Sequence, residues 1–406
     1  MSTGVRPDRV GLVEGSNPDS VCRTSQRSPS PANKPLVQLA IDGKRLIQAR
    51  TGPARWLEHM LHHWSVMEVP FEAMRCYTPA PTENRWARPP KLSHAVLASP
   101  LPPFLWENLV LRRAASRDDI LFGASYTIPL GYPKRAVVSI QGIYEGPNAE
   151  PGPWWQRYRF SAMYRSSAER AALVLANSVS TKNDLIEYYG IDPSKIRIVY
   201  QGVGAPFGWR EDRKRLATDV QAITGRVDPY FLFVGKLSVR RHVPELLRAF
   251  SEALPRLPAG MRLVLVGPNH VGLPLREHIA QTGLDAHVLY IPHLEQEKLA
   301  ALYSGATAFF LPTTHEGLSA TILEAMACGT PVVTVEHAPL NEGFRENALV
   351  LEAPDVGLLR DAMLRVAAEA PLRDELSAKG RACAARFSWR RTAEETMAAL
   401  WEAARA

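Results

Sequence analysis

One stretch of the sequence, residues 311–334, constrains the fold more strongly than any other. It reads as the end of a buried strand, a polar turn, a helix and a second buried strand. We predict the two strands at 307–311 and 331–335 and the helix at 319–328, with Ser319 as its N-cap and a glycine as its stop. This order is the unit of a parallel α/β sheet, in which ligands lie beyond the carboxyl ends of the strands.

Two carboxylates flank the predicted helix start. Glu316 lies in the turn and Glu324 lies inside the helix, with seven residues between them. At a rise of about 1.5 Å per residue, Glu324 stands about 7–8 Å along the axis from the first helical residue. The backbone amides of Ser319, Ala320 and Thr321 form the positive end of the helix dipole and suit a phosphate. We therefore predict a diphosphate on the helix start, with a sugar against Glu316 and a ribose against Glu324.

The sequence around these carboxylates resembles the Glu-x7-Glu signature of family 4 glycosyltransferases, which are retaining enzymes of the GT-B fold. The usual family string is close to Glu-Gly-Phe-Gly-Leu-Pro-x-x-Glu-Ala-Met-Ala-x-Gly-x-Pro-Val-Val. This chain reads Glu316-Gly-Leu-Ser-Ala-Thr-Ile-Leu-Glu324-Ala-Met-Ala-Cys-Gly-Thr-Pro-Val-Val333. The resemblance implies an α/β chain with two Rossmann-like, doubly wound domains facing across a cleft, and it places Gly317 and Leu318 at the donor site. A buried α/β crossover whose glutamates only cap and solvate is the alternative.

A basic turn follows the strand predicted at 230–235. It reads Gly235-Lys236-Leu-Ser-Val-Arg240-Arg241, where the family has Gly-Arg-Leu-Ser-x-x-Lys-Gly. The resemblance implies that Lys236 and Arg241 bind the donor diphosphate, with Gly235 and Arg240 beside them. Because only arginine offers a bidentate fork, the fork moves here from the first basic position to the second. A solvated basic turn is the alternative.

The start of the first predicted helix also resembles the family. Relatives often carry a Thr-Gly-x-x-Arg-(Tyr/Trp) string whose loop faces the donor phosphate, and this chain reads Thr51-Gly52-Pro-Ala-Arg-Trp. The resemblance implies that Gly52 lies at the donor site. A plain helix start, with Pro53 in the first turn, explains the same residues.

The largest departure from the family lies in the first domain. Gln141 and Gly142 stand where relatives read His-Asp, and that histidine is implicated in handling the acceptor and sugar side of the cleft. Glutamine can hydrogen-bond a sugar hydroxyl, but it cannot take up a proton near neutral pH. Either the departing phosphate takes the acceptor proton, with Lys236, Arg241 and the helix amides stabilising the leaving group, or the chain has lost activity. We expect retained activity, because the donor side matches the family.

The motifs that are missing from the sequence narrow the function. No Asp-x-Asp occurs, so we predict a metal-independent enzyme without a cofactor, which takes a nucleotide-diphosphate sugar as co-substrate. No Gly-x-Gly-x-x-Gly follows the early strands, which argues against a nicotinamide oxidoreductase. We predict transfer of a hexosyl unit, with mannosyl as one candidate, to a hydroxyl of a glycan or lipid-linked sugar. The alternatives are a catalytically impaired sugar-nucleotide-binding protein and a nucleotide-sugar epimerase of the same architecture.

The composition bears on partners and location. A net charge of +7 and a pI near 9.3 favour phosphate-bearing partners or an anionic membrane surface, with a solvated arginine-rich surface as the alternative. No nucleic-acid-binding motif accompanies the charge. The four cysteines lack Cys-x-x-Cys spacing, and no apolar segment reaches the roughly 20 residues that span a bilayer. We predict a cytoplasmic protein, with peripheral contact to the inner membrane face as an open hypothesis.

Four regions are predicted along the chain: a disordered leader at 1–34, an acceptor-binding domain at 35–208, a donor-binding domain at 209–386, and a closing helix at 387–406 that crosses back to the first domain. Segments 102–117 and 154–165 mix apolar or aromatic residues with arginines, which is typical of a core helix or of a membrane surface. Besides the two strands named above, we predict strands at 36–41, 68–77, 94–98, 120–124, 136–140, 173–176, 196–199, 230–235, 262–266 and 287–291.

Overall fold

A computed structural model of the protein describes residues 37–47, 52–82, 86–143, 154–269 and 272–406. The predicted leader, Cys22 and Thr51 lie outside the described residues. Residues 37–406 form one compact unit, and its described strands make two wholly parallel sheets, one of seven strands and one of six. The α/β fold with two Rossmann-like sheets, which the resemblance to family 4 implies, is thereby confirmed.

The first sheet has the order β3-β2-β1-β4-β5-β6-β7. The interior strand β1 pairs with β2 on one side and with β4 on the other, so that Leu39 stands beside both Met74 and Ile120. The predicted strand at 68–77 begins too early, because Pro70 has no amide hydrogen for a sheet ladder. The strands are β1 (Gln38–Asp42), β2 (Ala73–Thr78), β3 (Leu92–Val96), β4 (Ile120–Gly123), β5 (Arg135–Ile140), β6 (Leu173–Ala176) and β7 (Ile196–Ile198).

The second sheet repeats this plan with the order β10-β9-β8-β11-β12-β13. Its strands are β8 (Tyr230–Val234), β9 (Arg262–Val266), β10 (Val288–Ile291), β11 (Ala308–Leu311), β12 (Val332–Val335) and β13 (Leu349–Leu351). All residues of β8, β11 and β12 are buried, as expected for parallel strands covered on both faces. The strand order reverses between β8 and β11, and in sheets of this kind the crevice at such a reversal binds ligands.

Helices cover both sheets. Two of them were not predicted: α6, whose sequence is mostly polar, and α8, which has seven residues. The helices are α1 (Gly52–Trp64), α2 (Pro103–Leu105), α3 (Arg112–Ala115), α4 (Trp154–Arg170), α5 (Val179–Tyr189), α6 (Arg213–Thr224), α7 (Val243–Ala253), α8 (Leu275–Gln281), α9 (Gln296–Gly305), α10 (Ala320–Ala327), α11 (Val356–Ala368), α12 (Ala370–Ala384) and α13 (Trp389–Arg405).

The segment 102–117, which mixes apolar residues with arginines, is helical from Pro103 to Ala115 but not uniform. A π-helical stretch, Trp106–Leu111, joins α2 to α3. It buries Glu107, whose carboxylate accepts a hydrogen bond of 2.8 Å from Lys44 Nζ. A wide turn of this kind is rare and changes which side chains face the core.

The last helix packs on the first sheet rather than on the second. The Trp64 indole of α1 donates a 3.0 Å hydrogen bond to the carbonyl oxygen of Ala393 in α13, and Met397 and Leu400 are buried in the same apolar cluster. The domain boundary near residue 208 stays a prediction. None of the helices in the described ranges combines the length and the apolar character needed to cross a bilayer.

Candidate active site

The basic turn and Glu316 meet at the carboxyl end of the second sheet. The turn after β8 carries the basic residues 236–241, and the turn after β11 carries Glu316. Because β8 and β11 are neighbours, these two turns lie side by side at the strand-order reversal. Both turns therefore lie at the carboxyl ends of strands, where the sequence analysis placed them; their part in a donor site stays a prediction.

Glu316 is buried in an arginine cluster. Its side chain is 11% exposed, and its Oε1 lies 2.8 Å from both Nε and Nη2 of Arg241. Arg240 Nη2 stands 3.6 Å from the other carboxylate oxygen, and the Thr313 hydroxyl donates to Oε1 at 3.3 Å. Burial alone would raise the pKa of Glu316, but the charges of Arg241 and Arg240 outweigh it and hold the pKa below its usual value. Glu316 is therefore an anion over the whole neutral range.

Gly235 allows this arginine arrangement. The residue has φ +148°, and a Cβ built on it would overlap the guanidinium of Arg241. Arg241 Nη1 also donates to the carbonyl oxygen of Lys236 at 3.1 Å, so the side chain folds back over the end of its own strand. The fork predicted for the diphosphate thus binds Glu316 in this structure. Contact between Arg241 and a donor stays a prediction.

Helix α10 begins without a side-chain cap. Ser319 occupies the N-cap position as predicted, but the helix itself runs from Ala320 to Ala327 and not over 319–328. Ser319 adopts a left-handed conformation (φ 57°, ψ 56°), and its hydroxyl makes no hydrogen bond to the helix amides. The expected serine cap is therefore wrong. The first amides of α10 are left uncovered by that side chain, which suits an anion better than a capped helix does.

A cleft of about 470 Å³ opens beside this helix start. It brings together several of the predicted donor residues with groups that the sequence did not single out. Its walls include Gly235, Lys236, Ala320, Thr321 and Glu324 from the second half of the chain and Arg55 from α1 of the first half. The cleft therefore lies between the two halves of the chain.

Glu324 and Arg55 face each other across this cleft. The Tyr303 hydroxyl lies 3.3 Å from Glu324 Oε2. Burial raises the pKa of Glu324 to about 7, and the nearby charge of Arg55 and the Tyr303 hydrogen bond offset part of that rise. The sequence motif around Gly52 already contained Arg55, but only its glycine was proposed for the site. Gly52 lines a smaller adjoining cavity together with Arg55 and Glu324.

Two of the predicted residues meet at the contact between the halves. A Cβ built on Gly317 would lie 2.6 Å from the carbonyl oxygen of Gln141 and 3.4 Å from Asn177 Nδ2. Gln141 Nε2 is buried and has no hydrogen-bond partner among the described residues. Gln141 therefore lies against the turn that carries Glu316, with an amide donor that a substrate oxygen could satisfy.

Leu318, which was also predicted at the donor site, has a buried side chain. Its side chain is 3% exposed and packs in the apolar core of the second half. Only its backbone could reach a ligand, because the side chain points into the packed interior. The buried side chain of Leu318 therefore anchors the turn between Glu316 and α10 to the core of the second half.

Two further contacts join the halves near the site. Glu342 accepts hydrogen bonds from the Val179 amide at 2.6 Å and from the Tyr200 hydroxyl at 2.5 Å, and so caps the start of α5 from the other half. His315 Nε2 stands 3.7 Å from Asp184 in α5. Burial, together with the charge of Glu187, raises the pKa of Asp184 to about 6.

Comparison with known proteins identifies the family that this chain resembles. Residues 221–382 match the family model described as Glycosyl transferases group 1, and residues 55–205 match the model described as Glycosyltransferase Family 4. The chain is 31% identical to the D-inositol 3-phosphate glycosyltransferase of a Nocardioides species, over 56% of this chain and 53% of that protein. It is 28% identical to the protein of that name from Rhodococcus opacus, over 66% of this chain and 60% of that protein. The chain thus spans little more than half the length of such relatives.

The fold is shared with solved glycosyltransferases. HepE of Anabaena, solved with UDP and glucose, superposes with a TM-score of 0.68 at 15% identity, over 90% of this chain and all of that one. WaaG, a glycosyltransferase involved in lipopolysaccharide biosynthesis, gives 0.67 at 15% identity, over 89% of this chain and 98% of that one. At such identities the likeness shows the GT-B fold alone. Together with the two family matches, it shows that the chain belongs to glycosyltransferase family 4, the group 1 glycosyl transferases.

Proposed function

We propose that the protein is a retaining, metal-independent glycosyltransferase. It moves a hexosyl unit, with mannosyl as one candidate, from a nucleotide-diphosphate sugar to a hydroxyl of a glycan or lipid-linked sugar. The observation that carries this proposal is the start of α10, which has no side-chain cap and lies between Glu316 and Glu324 at the edge of an interdomain cleft.

The start of α10 and Lys236 supply the positive groups that a donor diphosphate would need in this cleft. The diphosphate would lie against the amides of Ala320 and Thr321 and the ammonium of Lys236, all of which line the cleft. Glu324, deeper along the helix, would accept the two ribose hydroxyls. HepE was solved with UDP and with UDP-glucose, which supports a nucleotide-sugar donor for a chain of the same fold.

Glu316 would act on the sugar. As the C1–O bond to the diphosphate breaks, positive charge develops at the anomeric carbon, and an anion held beside it stabilises that charge. Arg241 and Arg240 keep Glu316 ionised and fix its direction. In the same step the acceptor oxygen bonds to C1 on the face the diphosphate leaves, which retains the configuration.

The acceptor proton then needs a destination. Gln141 cannot take it, so the proton passes to an oxygen of the departing diphosphate, whose other charges are neutralised by Lys236 and the helix amides. The Gln141 amide would orient an acceptor or sugar oxygen instead. The relatives named D-inositol 3-phosphate glycosyltransferases are consistent with a hydroxyl acceptor.

A screen of UDP-, GDP- and ADP-sugars tests the function. We expect one nucleotide series to raise the melting temperature, because a ligand that binds the folded state stabilises it. That series should then release nucleoside diphosphate when an acceptor hydroxyl is supplied, with an unchanged anomeric configuration in the product. Inversion of the configuration at the anomeric carbon of the product would contradict the retaining mechanism.

Gln141 favours a second candidate, a sugar-nucleotide-binding protein without turnover. That protein would show the same thermal shift but no release of nucleoside diphosphate with any acceptor. An epimerase would convert the donor sugar with no acceptor present. The two readouts therefore separate all three functions.

The raised pKa of Glu324 gives the donor affinity a pH dependence. Only the carboxylate accepts both ribose hydroxyls, and its fraction falls about tenfold between pH 8 and pH 6 if the pKa is about 7. We expect the KM for the donor to rise by up to about tenfold over that interval. Glu324→Gln should bind more weakly and lose this dependence. An unchanged KM between pH 6 and pH 8 would contradict the ribose role.

The raised pKa of Glu324 makes the stability of the protein without donor fall as the pH rises. Because the folded pKa of Glu324 lies above the value of the unfolded chain, its contribution to stability is complete below about pH 4.5 and is lost as the pH rises through about 7. Donor binding and stability should therefore respond to pH in opposite directions in this range.

We also propose that the first half touches an anionic membrane. The segment around α2 and α3 exposes Phe104, Leu105 and Leu109, and Leu130 joins them because its amide bonds the side chain of Asn108 at 2.7 Å. The exposed charges of residues 103–117 are all arginines, since Glu107 is buried. Apolar side chains flanked by arginines suit the interface of an anionic bilayer. The cytoplasmic location stays a prediction.

Sedimentation with vesicles tests the membrane contact. The protein should pellet with phosphatidylglycerol vesicles, much less with phosphatidylcholine vesicles, and less at high salt. The Phe104→Ser/Leu109→Ser variant should lose most of this binding. Leu358→Ser, which removes an exposed leucine from α11 in the other half, is the matched control. Equal pelleting of all three proteins would contradict the assigned surface.

A further inference from the structure

A buried serine–histidine pair stands below the start of α10. The Ser319 hydroxyl oxygen lies 3.1 Å from Nε2 of His337, and the two residues are 3% and 5% exposed. Ser319 has the left-handed backbone that glycine adopts freely and other residues rarely adopt. Something outside the turn must therefore favour this conformation of Ser319.

The direction of the hydrogen bond follows from the other ring nitrogen. His337 Nδ1 lies 2.7 Å from the carbonyl oxygen of Val335, which can only accept. Nδ1 thus carries the hydrogen, and Nε2 of the neutral ring accepts from the Ser319 hydroxyl. Burial lowers the pKa of His337 and so keeps the ring neutral. The hydroxyl of Ser319 is directed at His337 and away from the helix.

We propose that His337 is a positioning residue for the donor diphosphate, acting through Ser319. Without His337, residue 319 would relax to the extended conformation of an ordinary N-cap, and its hydroxyl would accept from the amides of the first turn of α10. The serine would then occupy the place of the diphosphate. This inference rests on the proposed donor site, because it assigns the feature that keeps that site open.

The same histidine begins a short segment that reaches the other half. The 3-10 helix Ala338–Glu342 follows His337 directly, and its last residue, Glu342, binds the Val179 amide and the Tyr200 hydroxyl. A loss of donor binding in a His337 variant could therefore arise at Ser319 or at Glu342. The test has to separate these two routes.

The effect of His337→Ala, measured once with Ser319 and once with Ser319→Gly, separates these two routes. Glycine adopts the left-handed conformation without a partner and has no hydroxyl, so His337 should become dispensable in the Ser319→Gly background. We expect His337→Ala to weaken binding of UDP or GDP, whichever the protein binds, by about fivefold to tenfold when Ser319 is present. In the Ser319→Gly background the same change should alter the dissociation constant by less than about twofold. Binding is measured by calorimetry, independently of turnover.

Conservative and control variants complete the test. His337→Gln keeps an acceptor for the Ser319 hydroxyl and should recover most of the lost affinity, which also covers the case in which His337→Ala folds poorly. His287→Ala, which removes a part-buried histidine whose Nδ1 lies 3.2 Å from the Met261 carbonyl oxygen, should leave the dissociation constant unchanged.

The outcomes distinguish this inference from the proposed function. An equal loss of affinity in the Ser319 and Ser319→Gly backgrounds would overturn it and would place the effect of His337 at Glu342 or in general packing. An unchanged affinity in His337→Ala would overturn it as well, while the donor site would stand. Failure of the unmodified protein to bind UDP, GDP or ADP would overturn both proposals.

Discussion

Replacement of Glu316 by glutamine should lower kcat by about two to three orders of magnitude, or about 3–4 kcal/mol in the transition state. The change removes the negative charge beside the anomeric carbon but keeps the shape of the side chain. Donor affinity should change much less, because the diphosphate and ribose contacts lie elsewhere. Steady-state kinetics with the identified donor measure the split between kcat and KM.

Stability must be separated from catalysis in this variant, because Glu316 is the buried partner of Arg241. A buried guanidinium that loses its anion is costly, whereas removal of both partners is nearly neutral. Glu316→Gln should lower the melting temperature, and Glu316→Gln/Arg241→Met should recover much of it without recovering kcat. Recovery of turnover in the double variant would contradict the catalytic role.

A buried carboxylate far from the cleft supplies the matched control. Asp118 is fully buried, pairs with Arg75 and accepts a 2.8 Å hydrogen bond from the Tyr77 hydroxyl. Asp118→Asn should reduce stability by a similar mechanism and leave kcat of the folded protein unchanged. A comparable fall in kcat there would mean that Glu316 acts through stability alone.

Replacement of Lys236 by alanine should lower kcat/KM by about two to three orders of magnitude. The ammonium lines the cleft beside the start of α10 and would neutralise the diphosphate as it leaves. Because its side chain is partly exposed, the melting temperature should fall little. A donor-dependent rate assay and a melting curve on the same preparation measure the two effects.

The identity of the cation provides an internal check. The family has an arginine at the position of Lys236, so Lys236→Arg should restore most of the rate that Lys236→Ala loses. Lys298→Ala, which removes an exposed lysine of α9, controls for the loss of one positive charge. If Lys236→Ala and Lys298→Ala reduced the rate equally, the effect of Lys236 would be general electrostatics.

Sequence patterns predicted the strands best where burial is complete. The strand at 230–235 and the strand at 262–266 were found almost residue for residue, because each is a continuous apolar run that ends at a glycine. Helix α6 was not predicted, because its buried residues are only Leu216 and Val220 in a mostly polar sequence. Periodicity is a weak signal when so few side chains enter the core.

The sequence allowed the candidate site to be proposed as a set of residues but not as a set of contacts. The spacing of Glu316 and Glu324 and the basic turn are local in sequence, and the pattern around them placed Glu316 and the basic turn at strand ends, where the structure has them. The contact between Arg241 and Glu316 forms because the ends of β8 and β11 lie side by side. Arg55 faces Glu324 because of the way the two halves pack. No local sequence pattern predicts either contact.

Ser319 shows how a distant residue overrides local preference. Serine before a helix favours an ordinary cap, and the sequence supported that interpretation. The observed conformation instead follows a histidine 18 residues later, whose ring reaches the hydroxyl. Local propensity predicted the position of the helix start, but not that the Ser319 hydroxyl would leave the first helix amides uncapped.

The absence of a side chain at residue 317 sets how near the two halves can come. The carbonyl oxygen of Gln141 fills the space that a methyl group there would need. Even the methyl group of alanine would therefore act as a spacer and hold Gln141 away from the turn that carries Glu316. The single hydrogen atom that glycine carries in place of a side chain is what lets these two segments touch.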